Sequence, residues 1–139
     1  MENNRLVQLA AYVSRHAHHG QFRRDRVTPY FEHIKAVVDR VGGESEVIVA
    51  VAYLHDVIED TKETAETLRA RGFPESVVSS VVLLTKGKEN YETYLAGVKV
   101  CEVATKVKVA DMLSNLADDP SKKQILKYAK GLLFLLSKG

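Results

Sequence analysis

Residues 47–60 read VIVAVAYLHDVIED, an apolar run that ends in a cluster of imidazole and carboxylate groups. The run is apolar nearly all round, which is typical of a helix buried in the middle of a domain. Its valine content would also suit a parallel strand, but its length and its unbroken continuation to Leu54 favour a helix. We therefore predict one central helix from Glu44 to about Asp60.

The polar end of this predicted helix brings four chemically active side chains into six residues. Residues four apart share a helix face, so His55 is expected over Glu59 and Asp56 over Asp60. Such groups are costly to bury unless they meet a metal ion, a hydrogen-bond partner or solvent. An ordinary solvated helix end would explain the same pattern, because a short motif alone is a weak signal. The rest of the chain must decide between these interpretations.

Helical periodicity continues on both sides of the central segment, and glycine and proline residues separate the periodic stretches. We find no alternating strand pattern with a hairpin signal, no internal repeat and no linker. The sequence therefore predicts a single all-α domain over residues 1–139. The other predicted helices run from Leu6 to about His18, Pro29 to about Val41, Thr64 to about Arg71, Pro74 to about Thr85, Tyr91 to about Val98, Glu102 to about Leu116, and from a cap at Ser121 to about Ser137.

Composition and charge exclude several classes of protein. A net charge of +2 gives no global field for nucleic-acid binding. The single cysteine, Cys101, excludes an intramolecular disulfide, and it fits a reducing compartment, most simply the cytoplasm. No apolar run reaches the roughly 18 residues that span a bilayer, and Met1–Asn4 lacks the apolar core of a signal peptide. We therefore expect a cytoplasmic protein that binds neither nucleic acid nor membrane.

Two residues on other helices complete the polar cluster of the central segment. His33 lies on the preceding helix and Asp111 on a later one, so imidazoles and carboxylates from three helices can converge inside a bundle. Two neutral imidazoles and two carboxylates suit a borderline divalent ion, because the carboxylates offset its charge. Each residue also has a purely structural explanation: His33 can be a hydrogen-bonded core histidine, and Asp111 a cap or an ion-pair partner.

The order of these residues resembles that of a known family. His33, the pair His55–Asp56 and Asp111 follow the pattern of the HD-domain metal phosphohydrolases, most closely the hydrolase domain of RelA/SpoT-type enzymes and their small stand-alone relatives. The resemblance covers about residues 5 to 136. The matching segments are AHHGQFR at 17–23, TPYFEH at 28–33, LHDVIEDT at 54–61, LTK at 84–86 and VKVADMLSNL at 107–116.

The resemblance implies an HD-type helical bundle with a metal site between its helices. It implies hydrolysis of the alarmone guanosine 3',5'-bispyrophosphate (ppGpp) to GDP and pyrophosphate by a metal-activated water. Mn²⁺ would be the cofactor, although other divalent ions also suit His and Asp ligands. Glu59 and Asp60 would orient and deprotonate the water. The residues that match the family's ion ligands are His33, His55, Asp56 and Asp111.

The same resemblance implies contacts to the nucleotide. Arg23 occupies the position that packs against the base, with Arg24 and Arg26 as rivals because the loop length varies in the family. Lys106 and Lys108 are two residues apart and project to different sides of a helix, and we expect Lys108 nearer the site. The remaining implied contacts are Lys86 to a pyrophosphate, Asn115 to the ribose or a phosphate, and Tyr128, which a core role would explain equally well.

The sequence departs from the family pattern at two places, neither of them a proposed ion ligand, and the change in the loop bears on the expected substrate fit. Residues 24–28 lack the glycine usual before Pro-Tyr, and Ile34 stands where proline commonly follows the histidine. Two other functions stay open: hydrolysis of a different nucleotide, such as a 3' phosphate or NADPH, and nucleotide sensing without turnover. The Glu59-Asp60 pair argues against pure sensing, since binding alone needs no water-activating pair. The sequence leaves the oligomeric state open, and we expect no synthetase or regulatory domain in a chain of this length.

Overall fold

The computed structural model describes residues 5–43 and 45–138, and within these ranges the chain forms nine helical segments and no β-strand. The all-α prediction is confirmed. Met1–Asn4 and Glu44, which entered the predictions on export and on the central helix, lie outside the described residues. None of the described helices combines the length and apolar character needed to cross a membrane.

The helices are α1 (Arg5–Ala17), α2 (Phe31–Val41), α3 (Glu46–Leu54), α4 (Val57–Asp60), α5 (Ala65–Ala70), α6 (Glu75–Leu83), α7 (Tyr91–Lys99), α8 (Glu102–Leu116) and α9 (Lys122–Leu136).

Local sequence signals set the ends of several helices. The predicted cap at Ser121 is present, because its hydroxyl accepts from the Gln124 backbone while the Gln124 side chain accepts from the Ser121 backbone. This reciprocal pair satisfies two donors that the first turn leaves free. Ser45 caps α3 through its hydroxyl, and Gly42 ends α2 with a φ of 78°. That positive φ favours glycine, which has no Cβ atom to clash.

Helix α3 lies at the centre of the fold and packs against α1, α2, α6 and α8. Residues 49–52 and Leu54 are all buried. Burying one valine or leucine side chain contributes roughly 1.5–3 kcal/mol, so this short helix anchors much of the core. Its carboxyl end lies beside α2 and α8, the two helices that carry His33 and Asp111.

The central helix is not continuous, and the prediction of a single helix through Asp60 is wrong at His55 and Asp56. Helix α3 ends at Leu54, and α4 is one turn that begins at Val57. Nδ1 of His55 donates to the Ala52 carbonyl oxygen at 2.7 Å, so a side chain competes for a helical acceptor. The backbone of Asp56 has φ −106° and ψ 0°, outside the α-helical region. The Asp60 amide still donates to the Asp56 carbonyl oxygen at 3.0 Å, which keeps these residues one turn apart.

Glycine at position 131 lets α9 approach α8 closely. A Cβ atom at Gly131 would lie 2.7 Å from Cε of Met112, closer than carbon atoms pack. This approach seats the helix that carries Tyr128. The apolar side chains of α9 are only partly covered: Leu135 is buried, Tyr128 and Leu132 are half-buried, and Ile125, Leu133 and Leu136 are exposed.

Candidate active site

Side chains from three parts of the fold meet in a buried cluster. His33 on α2, His55 after α3 and Asp111 on α8 each present one ligand atom, and these atoms lie within 4.8 Å of one another. Oδ2 of Asp56 lies 3.2 Å from Nε2 of His55. The structure thus brings together all four residues predicted as ion ligands. We call His33, His55, Asp56 and Asp111 the His/Asp cluster.

The tautomer of His55 fits a bound cation. A carbonyl oxygen only accepts hydrogen bonds, so the short contact to Ala52 places a proton on Nδ1 and directs Nε2 into the cluster. Among the described residues, Nε2 is a buried atom without a hydrogen-bond partner. It lies 3.2 Å from Asp56 Oδ2 and 3.4 Å from Asp111 Oδ1. A lone pair and two carboxylate oxygens at these distances match the donor set of a divalent ion.

Electrostatics also favour positive charge inside the cluster. Burial disfavours the charged imidazole, yet Asp56 and Asp111 raise the pKa of His55 well above its usual range. Burial raises the pKa of Asp56, but His55 and the Tyr30 hydroxyl hold it at about 2. Burial also raises the pKa of Asp111. Lys108 and the two histidines outweigh burial and hold that pKa well below its usual range. Both carboxylates are therefore ionised at neutral pH, and an ion or a proton can take the position beside Nε2.

Tyr30 supports the cluster through Asp56. Its hydroxyl donates to Asp56 Oδ2 at 2.5 Å, and its ring lies 5.5 Å from the His33 ring. Tyr30 is not among the site residues predicted from the sequence. Its signal in the sequence is its place three residues before His33, which puts the two side chains on neighbouring positions where α2 begins. Hydrogen bonds to ligating carboxylates orient them and tune ion affinity.

Glu59 and Asp60 lie beside the cluster on the wall of the same cavity. Oε1 of Glu59 accepts from the Lys86 backbone amide at 2.9 Å, and the Gln21 side-chain amide donates to the Asp60 carbonyl oxygen at 3.0 Å. Partial burial, followed by repulsion from Asp56 and Glu59, raises the pKa of Asp60 to about 6. The Glu59 carboxylate is thus held by the segment after α6, and the backbone of Asp60 is held by the loop after α1.

The cavity has a volume of about 610 Å³, within the range of small-molecule sites. Nine of the eleven residues predicted for the site line it, and the exceptions are His55, which lies within the cluster, and Arg23. Three tyrosines, a leucine and a lysine that were not predicted from the sequence also line it. The predicted residues on its wall are His33, Asp56, Glu59, Asp60, Lys86, Lys108, Asp111, Asn115 and Tyr128, and the unassigned ones are Tyr30, Leu84, Tyr91, Tyr94 and Lys127.

Three lysines, Lys86, Lys108 and Lys127, face the cavity, and we call them the lysine group. Nζ of Lys108 lies 3.1 Å from Asp111 Oδ2, whereas Lys106 pairs with Glu102 at the surface. Within residues 5–43 and 45–138, neither Lys86 nor Lys127 forms an ion pair with a carboxylate. Burial, Lys108 and Lys86 together lower the pKa of Lys127. Neighbouring residues on a helix point in different directions, so the adjacent Tyr128 gives no sequence signal for Lys127.

Arg23 lies at the edge of the cavity and contacts residues that line it. Its Cζ atom lies 5.6 Å from the centre of the Tyr30 ring, and Nη2 donates to Asn115 Oδ1 at 3.4 Å. Arg24 instead contacts Gln124 and carbonyl oxygens of the turn after α8. Of these two arginines, Arg23 is the one that contacts residues on the cavity wall.

Fold and site together define an all-helical domain with a buried His/Asp cluster beside a polar cavity. The chain shares this fold with a solved structure of a metazoan ortholog of SpoT, a protein that hydrolyzes ppGpp and plays a role in starvation responses. The two chains are 24% identical, the similarity covers 95% of this chain and 85% of the other, and the TM-score is 0.81. The expected resemblance to a SpoT-like relative is thus confirmed in the fold. No family model and no curated protein sequence matches the chain.

Proposed function

We propose that this chain hydrolyses the 3' pyrophosphate of ppGpp and releases GDP and pyrophosphate from a single HD-type domain. One observation carries the proposal: a single cavity joins the buried His/Asp cluster, the carboxylates of Glu59 and Asp60, and the lysine group. That combination suits a substrate with anionic groups and a reaction that needs a water molecule activated. The fold shared with a ppGpp-hydrolysing protein gives further support.

The His/Asp cluster is the proposed ion site, and Mn²⁺ is the proposed cofactor. When bound there, a divalent ion supplies positive charge that stabilises the reacting phosphate and lowers the pKa of water. The Nδ1 contact of His55 and the hydroxyl of Tyr30 keep two of the ligands oriented before the ion arrives. The single cysteine of the chain supports a reducing compartment, and we place the reaction in the cytoplasm.

The other residues of the cavity have separate roles in the proposed reaction. Glu59 and Asp60 orient the water molecule, and Asp60 accepts its proton as the water oxygen bonds to the phosphorus nearest the ribose. The bond between that phosphorus and the 3' oxygen breaks, pyrophosphate leaves, and the 3' oxygen takes up a proton. The lysine group neutralises the phosphates as point charges. The residues proposed to hold the nucleoside part are Arg23, Asn115 and Tyr128.

The test is turnover by the purified protein with and without Mn²⁺. We expect GDP and pyrophosphate in equal amounts from ppGpp, and little product after the ion is chelated. Asp56→Ala should abolish turnover, whereas Asp39→Ala, an exposed carboxylate on α2, should leave it unchanged. Initial rates on a nucleoside 3' phosphate and on NADPH complete the panel.

Each other result points to a different function. Faster cleavage of another nucleotide than of ppGpp would make the substrate assignment wrong. Tight nucleotide binding without hydrolysis under any divalent ion would favour a sensing module.

A further inference from the structure

Asp118 lies outside the cavity, in the turn between α8 and α9, and holds the side chain of Arg23. Both Nη2 and Nε of Arg23 donate to Oδ2 of Asp118, at 2.7 Å and 3.2 Å. The two residues are 95 positions apart in the sequence. The Arg23 side chain is 14% exposed and that of Asp118 is 57% exposed, so a surface carboxylate fixes a largely covered guanidinium.

Arg23 is connected to the His/Asp cluster along two routes. Along its edge, Nη2 donates to Asn115 Oδ1, and Nδ2 of Asn115 donates to Asp111 Oδ1, both at 3.4 Å. Along the second route, Cζ of Arg23 lies over the Tyr30 ring at 5.6 Å from its centre, and the Tyr30 hydroxyl donates to Asp56. Asp118 is the contact at the outer end of both routes. Its two hydrogen bonds hold the guanidinium from the surface of the protein, where the Asp118 side chain is exposed.

We infer that Asp118 is a positioning residue that sets the affinity of the site for the base of the nucleotide. This rests on the proposed function, in which Arg23 contacts the base. Arg23 lies over the Tyr30 ring at the edge of the cavity, and a guanidinium is a group on which a planar base can stack. A free arginine side chain loses rotamer freedom when it orders against a ligand. Because Asp118 orders Arg23 in advance, that loss does not weaken nucleotide binding.

The adjacent aspartate provides a matched control. Asp119 lies in the same turn, and its backbone carbonyl, not its carboxylate, accepts from Arg24. Asp118→Asn and Asp119→Asn remove the same charge from neighbouring positions, and asparagine tolerates the φ of 50° at position 119. Asp118→Glu keeps the carboxylate and should recover part of any loss. Thermal unfolding of each variant verifies that it is folded.

The experiment separates base binding from phosphate binding. With Mn²⁺ present, we expect Asp118→Asn to raise KM for ppGpp and Kd for GDP by roughly two- to tenfold, the range for ordering one flexible side chain. We expect kcat to stay within about twofold and the Kd of pyrophosphate, which has no base, to stay unchanged. Asp119→Asn should change none of these values. In an Arg23→Ala background, Asp118→Asn should have no further effect, because the residue it acts through is absent.

Several outcomes would overturn the inference. An equal loss of pyrophosphate affinity, or an undiminished effect in the Arg23→Ala background, would mean that Asp118 supports the fold and not the arginine. A lower KM in Asp118→Asn would mean that Asp118 competes with the substrate for Arg23. If the wild-type protein leaves ppGpp intact, the proposed function fails, while the GDP measurements still decide the role of Asp118. Failure of the wild-type protein to bind GDP would overturn the inference as well.

Discussion

The His/Asp cluster and the lysine group lie in the same cavity, but the protein holds them in different ways. In the cluster, His55 donates to Ala52, Asp56 accepts from Tyr30, and Asp111 contacts His33 at 2.9 Å. In the lysine group, only Lys108 has a carboxylate partner among the described residues. The His/Asp cluster is therefore organised before any ligand binds, and such preorganisation is what an ion site needs. In the proposed function, the lysine group provides positive charge for the phosphates of the nucleotide.

Removing one carboxylate from the cluster should have the largest effect. We expect Asp111→Ala to lower kcat/KM by about a thousandfold or more, because an ion contributes several kcal/mol and each 1.4 kcal/mol is tenfold. The variant also leaves Lys108 half-buried without its partner. The measurements are steady-state kinetics on ppGpp and the shift of Tm on adding Mn²⁺. Asp39→Ala is the control. A Tm shift of wild-type size in Asp111→Ala would contradict the assigned ligand set.

Loosening the cluster without removing a ligand should have a smaller effect. Tyr30→Phe removes the hydroxyl that holds Asp56 and leaves the ring beneath Arg23. We expect Mn²⁺ affinity to fall by roughly 10- to 100-fold, the usual cost of losing such a supporting contact. Titration of the metal-free protein by calorimetry measures it, with Tyr12→Phe on the surface of α1 as the control. Unchanged affinity would show that the cluster holds Asp56 without Tyr30.

Substitutions in the lysine group should change binding more than turnover. We expect Lys127→Met and Lys86→Met each to raise KM for ppGpp by about tenfold, since a hydrogen bond to a charged group contributes roughly 1.5–3 kcal/mol. The change in kcat should be smaller, and the KM of the wild-type protein should rise with salt. Lys106→Met removes a surface lysine of the same charge and should leave KM unchanged. A main loss in kcat would show that these ammonium groups act in the transition state.

Replacing Asp60 should relieve the charge repulsion between it and the neighbouring carboxylates, Asp56 and Glu59. Its pKa is 3.8 in the unfolded chain and is raised to about 6 in the folded protein. The folded state therefore favours protonated Asp60. The stability that this protonation contributes is fully present below pH 3.8 and is lost as the pH rises through about 6. In the metal-free protein, Asp60→Asn should therefore stabilise the fold near pH 8. After discounting for solvent screening, the gain is about 1 kcal/mol. Denaturant unfolding in a chelator at several pH values measures it. A gain of equal size below pH 3.8 would exclude charge repulsion as its cause.

Much of the fold follows from local sequence signals. The periodicity predicts the helices and most of their ends to within two residues, and the residue type at position 121 predicts the cap at Ser121. The break at His55 could not be read in this way. It depends on a side chain bonding to its own helix and on an unusual backbone at Asp56, neither of which periodicity encodes.

Contacts in the site between residues far apart in the sequence could not be predicted from local patterns either. The family resemblance proposed His33 and Asp111 together, although 78 residues separate them. The partner of Arg23 lies 95 residues away in a turn, and no spacing rule connects them. Lys127 reaches the cavity because Gly131 seats α9 against α8, which is a fact of packing. Such residues become visible only when the tertiary contacts are known.

The shallow seating of α9 has a consequence for local unfolding. Only Gly131 and Leu135 of this helix are buried, whereas most of α3 is enclosed by four helices. Helices with few buried contacts open at a lower free energy than the global unfolding of the domain. Amide hydrogens of α9 should therefore exchange with solvent before those of α3. Lys127 and Tyr128 of α9 line the cavity, so nucleotide binding should slow the exchange of the α9 amide hydrogens. The exchange rate of this helix should therefore show whether the site is occupied.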